Sequence, residues 1–172
     1  MKQLLFTFIT VLFSIWAEVS LSTVHLVLPV LFLQLFYITV VRKWRWGLLT
    51  ALIACSIVDS LLGYFSLPAA VFVIICASFW RNIGDCSRLE LQFLPIIFTM
   101  FFGMVILFGT IYLKYGGFID WVNWSLQFAF SVGVSAVAAP AYYRIQDMLA
   151  VSMDISTYSS IQREELYSAA DK

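Results

Sequence analysis

Apolar residues fall along the chain in six runs, divided by short polar breaks. They cover about residues 4–21, 26–41, 46–64, 68–80, 91–113 and 121–142. A helix that crosses a bilayer needs about 20 apolar residues, with a range of roughly 17–25. The first, third, fifth and sixth runs meet that length. The second and fourth are short, which suits helices that are thinned, re-entrant or sheltered by neighbours. From Arg144 onward the chain turns polar, with Gln146, Asp147, Asp154 and the stretch 162–165, punctuated by Tyr158 and Tyr167. The pattern predicts an all-α polytopic bundle of about six transmembrane helices over residues 1–143, followed by a polar cytoplasmic tail, 144–172.

Composition makes lipid the solvent. The 172 residues are 62% hydrophobic and only 12% charged, with a mean hydropathy of +0.94. Ordinary soluble domains are roughly 45–50% apolar, so a soluble domain of this size could not hide so much apolar surface. The N-terminus has a weakly basic start and an apolar core, as a signal peptide does. However, Ile15-Trp16-Ala17 before Glu18 is a poor small-x-small cleavage site. The first run is therefore expected to be retained as a helix.

Charge sets the expected orientation. With both termini inside and six spans, every lysine and arginine except Lys114 falls on the cytoplasmic side. Such a bias follows the positive-inside rule. A five-span arrangement would scatter the basic residues over both faces. Trp44, Trp46, Trp80, Trp121 and Trp124 stand at the ends of the runs, where interfacial anchors sit. Net charge is zero, so no nucleic-acid partner is indicated.

The short polar breaks leave no room for a soluble catalytic domain. There is no phosphate-binding G-x-x-x-x-G-K-[ST] motif, no H-E-x-x-H and no G-x-S-x-G. His25 is the only histidine. A Ser–His pair would need Ser20, Ser22 or Ser66 on its face, and no spacing favours one. Cys55, Cys76 and Cys86 form no C-x-x-C pair and read as small hydrophobes. No cofactor or metal site and no enzymatic activity is expected. No span is read as carrying a repeated polar stripe, so an ion path through Glu18 and Asp59 lacks support. The aromatic fifth run, with Phe98, Phe101, Phe102 and Phe108, is read as facing lipid.

Helix packing is the remaining signal. Gly47, Ala51, Cys55, Asp59 and Gly63 recur every four residues in the third run, and such a row forms one shallow ridge. Small residues there let a second backbone come close, which is how helices associate in lipid. Ser131, Ser135 and Ala139 form a similar row in the sixth run, with Ala129 and Gly133 beside it. Either row can serve the bundle itself or dock a helix of another protein. Asp59 lies about 6 Å inside the outer end of its run, at 1.5 Å rise per residue. That depth lowers its cost below the roughly 2.5–3.5 kcal/mol of a mid-membrane carboxylate. Glu18 and His25 are expected at similar depth. Asp59 is read as fixing the turn from Gly63 to Ser66 or bonding a neighbouring helix, with partner binding and ion handling as the other roles open to it.

The stretch Trp46-Gly47-Leu48-Leu49-Thr50-Ala51 through Val58-Asp59-Ser60-Leu61-Leu62-Gly63, then Leu67-Pro68-Ala69-Ala70, resembles the MreD family of rod-shape-determining membrane proteins. That family has a basic turn, a small-residue helix ending in Asp-Leu-Leu-Ser/Gly, and a second helix led by small residues. The basic turn here is Arg42-Lys43-Trp44-Arg45. Leu28-Pro29-Val30-Leu31 is similar to the family's Pro-Asp-Leu segment, with Val30 in place of the acidic residue. The motif likeness covers about residues 26–81.

The resemblance implies a non-enzymatic scaffold in the bacterial inner membrane, part of the machinery that inserts peptidoglycan during cell elongation. Implied partners are the bitopic protein MreC, with the MreB filament, a SEDS-family glycosyltransferase and a class B penicillin-binding protein. Arg42, Lys43 and Arg45 would face the filament or anionic membrane lipid. The alternative is a substrate-binding S component of an energy-coupling-factor vitamin transporter, which the chain resembles in size and span layout. Those components carry an Ala-x-x-x-Ala patch in the first helix. Here that run is bulky, with Phe6, Phe8, Phe13 and Trp16.

Overall fold

A computed structural model describes residues 2–23, 29–83, 94–115, 121–153 and 155. The regular structure among them is entirely helical: α1 (Lys2–Ser22), α2 (Val30–Arg42), α3 (Trp44–Leu62), α4 (Leu67–Ile83), α5 (Leu94–Tyr115) and α6 (Trp121–Ser152). Four of these, α1, α3, α5 and α6, are long and apolar enough to cross a membrane. They are the four that the run lengths single out. His25, Cys86, Arg88, Asp154 and residues 156–172, with Tyr158 and Tyr167, lie outside the described residues.

The centre of the bundle is α2. Every residue from Leu31 to Val40 is buried, and the helix touches α1, α3, α4, α5 and α6. Thirteen residues span roughly 20 Å, short of the ~30 Å hydrocarbon layer. The shortness is tolerable because protein, not lipid, surrounds this helix. Small residues on α3 and α4 let those helices close on it: Ala51, Ala54, Ala69, Ala70 and Ala77 are all fully buried.

Local chemistry sets the helix ends. Pro29 precedes α2 and brings no side-chain cap. One residue, Lys43, joins α2 to α3; it has φ 78° and ψ 158° and donates its N–H to Thr39 O at 3.0 Å. That conformation is favourable for glycine and strained for other residues. At the far end of α3, Gly63 has φ 71° and donates to Asp59 O at 2.9 Å. A left-handed glycine is the common way for a helix to stop.

The directions of successive helices alternate. Gln3 Oε1 at the start of α1 accepts from Arg42 Nη2 at the end of α2, at 3.3 Å. Lys114 near the end of α5 reaches Gly63 O at the end of α3. Arg42, Lys43, Arg45, Arg81 and Arg144 therefore gather at one end of the bundle, and Glu18, Asp59 and Lys114 at the other. One helix end and one side chain differ from the pattern reading. The last helix continues to Ser152 instead of stopping near 142, because residues 143–150 still place Tyr143, Gln146 and Ala150 against the bundle. Phe108 is buried, not lipid-facing: it meets Trp124 and Phe128 of α6 at ring distances of 5.0 and 5.4 Å. Phe98, Phe101 and Phe102 are exposed.

Candidate functional site

The small-residue row of α3 points inward. Gly47, Ala51 and Cys55 are buried. A Cβ added at Gly47 would overlap Thr39 Oγ1 of α2 and come within 3.4 Å of Ile74 of α4. The row thus serves the contact of α3 with its own bundle. As a docking face for a foreign helix, its first three positions are already covered. Asp59 and Gly63, the last two, are half-buried at the turn.

That turn is closed by polar groups from two helices. Asp59 Oδ1 accepts the Ser66 N–H at 2.9 Å. Gly63 O accepts from Lys114 Nζ at 2.5 Å and from Tyr115 Oη at 3.0 Å. Thr110 Oγ1 lies 3.0 Å from Phe65 O, in position to donate to it. Asp59 thus has a structural partner in the turn, and α5 clamps the turn from outside. Burial pushes the Tyr64 phenol above its ordinary range.

A second cluster lies between α1, α2 and α6. Gln34 Nε2 donates to Thr10 Oγ1 at 2.7 Å, and Tyr142 Oη donates to Gln34 Oε1. Ser14 Oγ is 3.2 Å from Tyr142 Oη. Toward the basic end, Tyr37 Oη donates to Asp147 Oδ1, and beside Gln34 Tyr143 Oη donates to Leu33 O, both at 3.0 Å. At the opposite end, Glu18 Oε2 accepts the Leu31 N–H at 3.0 Å. In an apolar surrounding each unmade bond leaves a desolvated polar group, so closure of the network matters more than any single member.

This cluster corrects the reading that no span carries a polar stripe. Thr10, Ser14 and Glu18 recur every four residues on α1, and all three are buried. The spacing was visible, but their small number in a run of bulky apolar residues hid them. Gln34 and Tyr142 carry no sequence signal of pairing, because they are far apart in the chain.

The basic turn sits at the other end. Lys43 and Arg45 are exposed. The Arg42 guanidinium stacks over the Trp46 ring at 5.3 Å, and Arg45 over Trp44 at 5.8 Å. Among the described residues no group of three or more His, Cys, Asp or Glu side chains is placed to hold a metal ion. No protein-family model, curated protein or solved structure matches the chain.

Proposed function

We propose that the chain is a non-enzymatic scaffold of the bacterial cell-elongation machinery. In this reading it lies in the inner membrane with both termini cytoplasmic and holds an MreC-like bitopic protein by helix packing. The resemblance to the MreD family over residues 26–81 supports this reading. The packed interior supports a holding role, because its polar side chains largely close on one another.

The observation that carries the reading is the outward face of α6. Leu126, Phe130 and Val137 are exposed by 62%, 50% and 80%. Gly133 lies between them, exposed, with open space around its Cβ position. The spacing of four, three and four residues is that of a helix–helix seam, and glycine at its centre allows close approach. Ser131, Ser135 and Ala139 face inward, so α6 serves its own bundle with one face and offers the other. A photocrosslinking side chain at Val137 is expected to capture a single-span protein, while one at Ile75, exposed on α4, captures lipid alone. Equal capture at both positions would remove α6 as the docking face.

One observation favours the S-component alternative. Gln146 is buried beside the polar cluster, and among the described residues its Oε1 has no hydrogen-bond partner. A bound solute could supply that donor. A vitamin-sized molecule retained through purification would support transport over scaffolding.

A further inference from the structure

A groove of about 200 Å³ runs between α1 and α3. Its length is apolar, from Leu4 and Phe8 to Val11 and Ile53, and Arg42 and Trp46 stand at one end. From Trp46 to Ile53 it covers roughly 10 Å of helix, the length of part of an acyl chain. A second groove of about 600 Å³ adjoins it through Leu4 and Phe8 and carries Lys2. Among the described residues neither is lined by a carboxylate.

The Arg42 guanidinium is incompletely satisfied. Nη2 donates to Gln3 Oε1, whereas Nη1 is buried and has no hydrogen-bond partner among the described residues. A buried guanidinium N–H without an acceptor is costly. Phosphate oxygens suit its planar fork. Lys43 adds a second point: it keeps a charged side chain at a backbone position where glycine would be unstrained. Cations at the head of an apolar groove match an anionic headgroup above an acyl chain.

We propose that this groove is a binding site for one anionic phospholipid, with its phosphate at the Arg42 guanidinium and one acyl chain laid between α1 and α3. Lys2, Lys43 and Arg45 supply the surrounding positive field. The site is independent of the scaffold reading, since it needs no protein partner.

The test uses the full chain in nanodiscs of equal phosphatidylglycerol and phosphatidylcholine. Detergent washing and native mass spectrometry then count retained lipids. The wild type is expected to keep one phosphatidylglycerol in preference to phosphatidylcholine. Arg42→Gln should lower that retention about tenfold or more, the loss of a charge-assisted bond. Thr50→Trp fills the groove and leaves Arg42 intact, and it should lower retention likewise. Arg144→Gln removes a cation at the same end from α6 and should leave retention unchanged. Circular dichroism and elution volume establish that each variant is folded. Equal retention of the two lipids, unchanged retention in Arg42→Gln, or an equal loss in Arg144→Gln would overturn the proposal; the last would mean a diffuse surface charge.

Discussion

The Glu18 carboxylate of α1 accepts the backbone N–H of Leu31 in α2 at 3.0 Å. Leu31 lies in the first turn of its helix, where N–H groups have no intrahelical acceptor. Pro29 has no side chain to cap them, so the neighbouring helix does. A carboxylate also suits the positive end of the helix dipole. Glu18→Ala should therefore lower stability by about 1–3 kcal/mol, the cost of a buried donor left unpaired. Glu18→Gln keeps an acceptor oxygen and should lose less. Unfolding in increasing sodium dodecyl sulfate measures both. Equal stability of Glu18→Ala and wild type would remove the cap from the account.

The contact of α3 with α2 gives a test of the small-residue row. Gly47→Ala drives a methyl into Thr39 Oγ1 and should destabilise by about 1–3 kcal/mol, as overpacking does. Thr39→Ala removes the obstructing hydroxyl, whose bond to Leu35 O is local to its own helix. The double variant should recover most of the loss. Ala51→Leu should disturb the bundle itself, since Ala51 has no exposed surface. Additive losses in the Gly47/Thr39 cycle would show that the two residues do not meet.

The Gln34–Tyr142 bond ties α6 to the centre. Tyr142→Phe leaves Gln34 Oε1 buried without its donor and should cost about 1–3 kcal/mol. Gln34→Met alone strands the Tyr142 hydroxyl beside Ser14, which lies close enough to take it, so its loss should be smaller. In the double variant both unpaired groups are gone, and the losses should be less than additive. Strict additivity in the unfolding midpoints would contradict the bond.

Lys43 offers a change expected to stabilise. Its φ of 78° is relieved by glycine, and Lys43→Gly should raise stability by about 1–3 kcal/mol. A lower unfolding midpoint would show that the Lys43 side chain contributes more than its backbone strain removes.

The helices were legible because lipid makes each span a long unbroken apolar run. Run length also distinguished the four long helices from α2 and α4. What makes α2 central was not legible. Its polar Gln34 and its position inside the bundle depend on α1 and α6, which are remote in sequence. The turn role of Asp59 was readable because Gly63 and Ser66 follow it within seven residues of chain. The inward face of the Gly47–Ala51–Cys55 row was not, since small residues suit internal and external packing alike. The burial of Phe108 was not legible for a related reason: in lipid, an exposed and a buried phenylalanine are chemically equivalent, and only Trp124 and Phe128 distinguish them.

Under the proposed function the bundle holds another membrane protein. The most direct measurement is affinity capture of the tagged chain from its native membrane in mild detergent, with mass spectrometry of both co-purifying proteins and small molecules. A bitopic MreC-like protein or cell-wall synthases and no retained solute are the expected result, with recovery reduced by Gly133→Trp on the open face of α6. Recovery of a vitamin-sized molecule or a paired ATPase, with no bitopic partner, would contradict it.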